Sequence, residues 1–252
     1  MKKWFIGLAV SFALILIIVG CSQKSTDQNV QQNQPQPTAA ENKTDAAEPR
    51  AGGEIIFGAI TETPSLDPFL EASDERTKRT VLMYEGLTWV NDNMEIEPRL
   101  AEKWDISEDG KEYTFYLRKE VYFHDGSKMT AEDVKYSYDI LRDPNFGSNG
   151  AGDFGLVEDI VVVDENTVKF ILKEPFSTLL AAVGGRYGGV VPKGTYDSGD
   201  LRNRVLGTGP YMLADWKPKN KMELKKFDKY WNKDVGLVDK ITIRIVPDEN
   251  SL

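Results

Sequence analysis

Cys21 and His124 are the only thiol and the only imidazole in 252 residues, so they bound the covalent and acid–base chemistry open to this chain. His124 stands in Phe123-His124-Asp125-Gly126, a composition suited to a tight turn. With so few soft donors, a metal centre would rest almost wholly on carboxylates, and acidic neighbours such as Glu132-Asp133 and Asp248-Glu249 read as solvated charge. The expectation is no metal, and for His124 a structural hydrogen bond within its turn. No Gly-x-Ser-x-Gly elbow is present, and Gly207-Thr208-Gly209-Pro210 is neither a phosphate loop nor a dinucleotide fingerprint. Lacking any Ser/His/Asp arrangement, the chain is expected to have no catalytic residue, to need no cofactor and not to be an enzyme.

Cys21 points to a different chemistry. Met1-Lys2-Lys3 precedes an apolar run from Trp4 to Val19, the charged and hydrophobic parts of a secretory signal. The run is shorter than the roughly 20 residues of a spanning helix. It ends in Ile18-Val19-Gly20-Cys21, which looks like a bacterial lipobox: a small residue flanks the cut, and the sulfur becomes a thioether to diacylglycerol. Residues 1–20 are therefore expected to be a signal peptide and Cys21 the lipid attachment point, with an uncleaved anchor helix as the alternative. Either way the chain is exported, and with Cys21 acylated no thiol remains for a disulfide.

The stretch after Cys21 is built to stay solvated. Ser22 to Arg50 contains one Val and no other large aliphatic or aromatic residue, too little apolar surface to offset chain entropy. Residues 21–50 thus read as a lipidated cysteine plus a disordered polar tether. The net charge of −9 argues against nucleic acid or an anionic lipid surface as a partner.

From about residue 52 onward, strand and helix signals interleave. Gly53 to Ile60 reads as a buried strand, and Ser73 or Asp74 as the cap of a helix carrying Val81, Leu82 and Tyr84 and stopped by Gly86. Two strands within Trp104 to Leu117 meet at Asp109-Gly110, a hairpin signal. Thr130 and Asp133 form a capping box ahead of Val134, Tyr138 and Leu141 at i, i+4 and i+7, and Pro144 closes that helix. Residues 155–163 and 167–172 read as paired strands, with Val168, Phe170 and Leu172 on one face, and Phe176 to Val183 as a short helix. Tyr211 to Asp215, Met222 to Lys226 and Ile241 to Val246 supply three further strands. The pattern is mixed α/β without regular βαβ alternation, which argues against a doubly wound dinucleotide fold.

The stretch LAEKWDISEDGKEYTFYLRKEVYFHDGSKMTAEDVKYSY, Leu100 to Tyr138, resembles the signature region of the family 5 extracellular solute-binding proteins. Shorter pieces match in the same order: SLDP at 65–68, YEGL at 84–87, GTGPY at 207–211, FDKYW at 227–231 and IVPD at 245–248. The resemblance implies a type II periplasmic-binding-protein-like fold: a first lobe from residues 52–65 and 193–252, and a small α/β domain inserted at 66–192. Because family members are about twice as long, it also implies that the first lobe is incomplete and the second lobe missing, so that a truncated chain would bind ligand weakly.

The function implied is capture of a peptide outside the cell for an ABC permease and its ATPase subunits, by a monomer held through its lipid on the outer face of a membrane of Gram-positive type. A peptide-pheromone signalling receptor, or a receptor for nickel or another small solute, would share the fold; a lipoprotein hydrolase would need catalytic groups the sequence lacks. By position in the family pattern, ligand contacts are expected from Phe69, Glu71 and Ser73, from Phe146 and Asn149, and from Arg186 and Tyr187. Glu71 would meet an amino terminus and Arg186 a carboxylate. Trp104, Tyr113, Phe115, Arg118, Phe123 and Asp125 are read as scaffold.

Overall fold

The computed structural model describes residues 51–70, 73–197, 205–236 and 238–246; the signal, Cys21, the tether and Glu71 lie outside the described residues. Strands are numbered along the chain. The first sheet draws on both ends of the described body, in the order β1 (Glu54–Ala59), β10 (Lys240–Ile245), β9 (Lys221–Lys226) and β8 (Tyr211–Lys217). Within it β1 runs parallel to β10 and the other pairs are antiparallel. The second sheet comes from the middle of the chain and is antiparallel throughout, in the order β4 (Ala101–Ile106), β5 (Glu112–Leu117), β7 (Thr167–Leu172), β6 (Val157–Asp164). A ribbon of β2 (Thr88–Val90) and β3 (Ile96–Pro98) completes the strands.

The second sheet is a direct consequence of its alternation. Pairing of Phe115 with Val168 and of Tyr113 with Phe170 puts these side chains on one face, where none is more than 4% exposed. Helix α2 (Ala131–Arg142) covers that face with Val134, Tyr138 and Leu141, and the Tyr138 ring meets Phe170 edge-on at 5.3 Å. Each such buried side chain stabilises the layer by about 1.5–3 kcal/mol. The helix starts where Asp133 accepts hydrogen bonds from the Thr130 N–H and hydroxyl, and ends at Asp143, extended because Pro144 comes next. At Asp109-Gly110 the hairpin turns through a glycine with φ of 69°.

Three expectations need correction. Gly53 to Ile60 does form a strand, but Ile55, Ile56 and Phe57 are 39%, 55% and 50% exposed. An apolar run specifies extended backbone, not that a neighbouring layer covers it, and β1 lies at the edge of its sheet. Helix α1 (Asp74–Thr80) stops short of Val81, Leu82 and Tyr84, and α3 (Leu179–Ala182) is shorter than Phe176 to Val183. The β2–β3 ribbon has no counterpart among the sequence signals, since three-residue strands carry too little periodicity.

His124 makes structural bonds, but to a distant segment and not within its own turn as expected. Its N–H donates to the Gly207 carbonyl at 3.0 Å, and Nε2 lies 3.1 Å from the Gly209 carbonyl, which can only accept. The ring is therefore held as the neutral Nε2–H tautomer, edge-on to Phe227 at 5.1 Å. Burial pulls its pKa from 6.5 down to about 4, against the opposing pull of the Gly209 bond and Asp125. Below pH 6.5 the unfolded chain takes a proton that the folded chain refuses, so stability present above that pH is lost as pH falls toward 4. Denaturation at pH 7 and pH 4.5 should show the native chain losing about 2–3 kcal/mol more than His124→Gln between the two. Parallel pH profiles would refute this.

Candidate functional site

Three loops far apart in sequence converge on one side of α1. After Ser65-Leu66-Asp67-Pro68 the chain turns because Asp67 Oδ1 accepts from the Phe69 and Leu70 N–H groups at 2.8 and 3.2 Å. From the second loop, the Ser148 hydroxyl donates to the Phe69 carbonyl at 2.8 Å and the Asn149 amide to the Leu70 carbonyl at 3.0 Å. From the third, the Arg186 carbonyl accepts from Arg76 at 3.1 Å. Arg76 is a fully buried guanidinium that also donates to the Pro68 carbonyl and lies 5.7 Å from the Tyr187 ring. Gly150 packs so closely on Tyr187 that a Cβ there would lie 2.5 Å from Cγ of that ring.

The structure thus joins the loops containing residues 69–70 and 73, 146–150 and 186–187, but it gives their side chains different fates. Phe69, expected at the ligand, is fully buried: its ring stacks on Tyr196 at 5.7 Å and meets Phe146 edge-on at 6.4 Å. Tyr187, 7% exposed, is likewise interior. Phe69 is core because it finds two other rings once the chain folds, and Tyr187 because Gly150 and the Arg76 guanidinium close against its ring. The Ser73 hydroxyl caps α1 by accepting from the Arg76 N–H at 3.2 Å. Phe146 is half-buried, Asn149 exposed, and the Arg186 guanidinium, 47% exposed, forms a loose ion pair with Asp74 at 3.8 Å. Burial raises the pKa of Asp67, whose three hydrogen-bond donors oppose that rise, and burial next to Asp67 raises that of Tyr196.

Beside these loops opens a pocket of about 300 Å³, walled by Pro68, Arg76, Thr77, Trp89, Gly184 and Arg186. It offers an indole face and guanidinium groups, which suit an organic anion with an apolar part.

The pocket's floor is a buried carboxylate that sequence reasoning missed. Glu85 accepts from Arg99 Nε at 2.6 Å, the Tyr230 hydroxyl at 2.7 Å, the Thr208 hydroxyl at 3.1 Å and Trp231 Nε1 at 3.1 Å. Burial raises its pKa, opposed by Arg99 and the three neutral donors. Arg118 stacks over Trp231 at 4.1 Å, and Arg99 lies between Trp89 and Trp231. The available signal was the separate presence of YEGL, GTGPY and FDKYW, whose Glu, Thr, Tyr and Trp meet here. Among the described residues no group of His, Cys, Asp and Glu could hold a metal ion, and no helix is long and apolar enough to cross a membrane.

Comparison with known proteins gives a family and a set of longer relatives. The family described as bacterial extracellular solute-binding proteins, family 5 Middle, matches residues 95–252. The dipeptide-binding protein DppE of Bacillus subtilis is 28% identical over 269 residues, covering 99% of this chain and 47% of its own length. The glutathione-binding protein GsiB of Salmonella choleraesuis is 31% identical over 207 residues, covering 80% of this chain and 40% of its own. Among solved structures, the ABC transporter-associated periplasmic binding protein DppA from Helicobacter pylori, in complex with the peptide STSA, superposes with a TM-score of 0.74 at 30% identity over 80% of this chain and 44% of that one. The chain spans less than half the length of each of these relatives.

Proposed function

The chain belongs to family 5 of the bacterial extracellular solute-binding proteins, and we propose on that basis that it captures peptides outside the cell and presents them to the permease of an ABC importer. Its mixed α/β fold is that of the type II periplasmic binding proteins over the part the chain spans. The observation that carries the peptide reading is the likeness to the STSA complex, and the dipeptide-binding relative supports it. In this reading Arg186 exchanges its contact with Asp74 for a terminal carboxylate, and Trp89 packs on a side chain. Nothing in the ligand is broken; the ATPase subunits of the importer supply the energy.

The segregation of the two sheets supports a lobe from residues 52–65 and 193–252 with an inserted domain at 66–192. Cys21 carries the lipid, and residues 21–50 hold the body clear of the headgroups. Labelled palmitate should enter the chain and fail to enter Cys21→Ser; label retained by the variant would exclude this anchor.

Calorimetric titration with tri- to pentapeptides tests the main reading. Saturable one-to-one binding is expected, with Arg186→Ala weakening it about tenfold, or about 1.4 kcal/mol. Unchanged affinity in that variant would remove Arg186 from the site, and mass-spectrometric detection of cleaved peptide would overturn a binding-only role.

A further inference from the structure

Asn149-Gly150 is the only Asn-Gly pair in the sequence, and packing explains why it stands where it does. The Ala151 N–H donates to the Ser148 carbonyl at 3.3 Å, and Gly150, with φ of −87° and ψ of −4°, is the third residue of a type I turn. Glycine is required there because a Cβ would lie 2.5 Å from Tyr187 Cγ. At 149 a side-chain donor reaches the Leu70 carbonyl at 3.0 Å, beside the Ser148 bond to the Phe69 carbonyl. The contacts that join these two loops therefore place an exposed carboxamide directly before a residue with no side chain to shield its nitrogen.

We propose that Asn149 is a site of spontaneous deamidation, with water as the only co-reactant, and that opening of its turn sets the rate. The Gly150 nitrogen gives up its proton and bonds to Asn149 Cγ; the Cγ–Nδ2 bond breaks, and Nδ2 leaves as ammonia with that proton. Water then adds to either carbonyl carbon of the resulting cyclic imide and breaks its bond to nitrogen, leaving Asp or isoaspartate at 149. In the folded turn both reacting groups are occupied. The Gly150 N–H donates to the buried Ser148 hydroxyl at 3.1 Å, and Asn149 Nδ2 donates to the Leu70 carbonyl. Ring closure waits for these bonds to open, so its rate follows the population of opened turn. The product cannot remake the joint. A carboxylate has no proton to give the Leu70 carbonyl, and isoaspartate inserts a methylene into the main chain between Ser148, held at Phe69, and Gly150, held at Tyr187. Two of the three loops beside the pocket are uncoupled by a reaction that needs no enzyme. Neither the family nor the peptide reading is needed for this chemistry.

Incubation of the folded chain, and of the chain unfolded in urea, at pH 8 and 37 °C tests it, with peptide mass spectrometry mapping the gain that marks NH2 replaced by OH. In urea Asn149 should be converted ahead of every other asparagine. In the folded chain it should react at least tenfold more slowly, and the protection of the Gly150 N–H from hydrogen exchange should match that slowing within about threefold. Ser148→Ala, which frees the Gly150 N–H, should speed the folded reaction about tenfold, equivalent to one lost hydrogen bond of about 1.4 kcal/mol. Asn149→Gln keeps the donor but would have to close a larger ring, and should show no gain at 149. The proposal is overturned if another asparagine reacts first in urea, if folded and unfolded chains react at one rate, or if exchange protection and slowing disagree. It is equally overturned if folded Ser148→Ala reacts no faster than the native chain.

Discussion

Glu85→Ala is expected to lower the stability of the chain by about 3–5 kcal/mol, the usual consequence of removing one partner from a buried ion pair. The cost lies less in the lost attraction than in what is left behind. Arg99, 24% exposed at its side chain, can turn partly toward water. The Tyr230 hydroxyl and the Thr208 hydroxyl, from residues 4% and 1% exposed, cannot, and each orphaned donor costs about 1–3 kcal/mol. Glu85→Gln keeps an acceptor for two of the four donors but leaves the guanidinium without its counter-charge, so an intermediate loss is expected. Urea denaturation of the two variants beside the native chain measures both. A loss below about 1 kcal/mol for the alanine variant would mean that the four donors find other partners.

Gly207→Ala should be comparably severe, by about 3 kcal/mol or more, through overpacking against backbone rather than loss of a bond. The segment Gly207-Thr208-Gly209 passes directly across Met83-Tyr84: Gly209 N–H donates to the Met83 carbonyl at 2.9 Å, and a Cβ on Gly207 would fall on that same carbonyl and 2.8 Å from the Tyr84 ring. Backbone cannot swing aside as a flexible side chain would, so either the crossing opens or the His124 bonds to Gly207 and Gly209 are strained. Gly152→Ala, with nothing within 4 Å of its added Cβ, is the control and should be neutral or slightly stabilising. In thermal melts the Gly207 variant should lose roughly 6–12 °C; a melting temperature within about 2 °C of the native chain would refute the account.

Both predictions fall on residues that the sequence displayed plainly and explained poorly. YEGL and GTGPY were legible as marks of a family, but nothing in either piece says that Glu85 and Thr208 form a hydrogen bond across a sequence separation of 123. For His124 the composition of its turn pointed to a structural bond, but not to a partner carbonyl 85 positions on at Gly209.

What the sequence by itself determined is whatever depends on near neighbours along the chain. The apolar period of α2, its capping box and its stop at Pro144, the Asp109-Gly110 hairpin, and the alternation that buries Val168, Phe170 and Leu172 are all set by residues within one or two turns of each other. The ordered motifs added the family and, through it, the fold. Only the tertiary structure decided which side chains face inward. It stacked Phe69 on Tyr196 and set Tyr187 against Gly150, leaving Arg186 and Asn149 at the surface. It gathered four donors onto Glu85, and it left Ile55 and Phe57 open at a sheet edge although their run reads as core. The reason is that periodicity and propensity report how the backbone turns, whereas burial is set by what a distant segment brings to the same place.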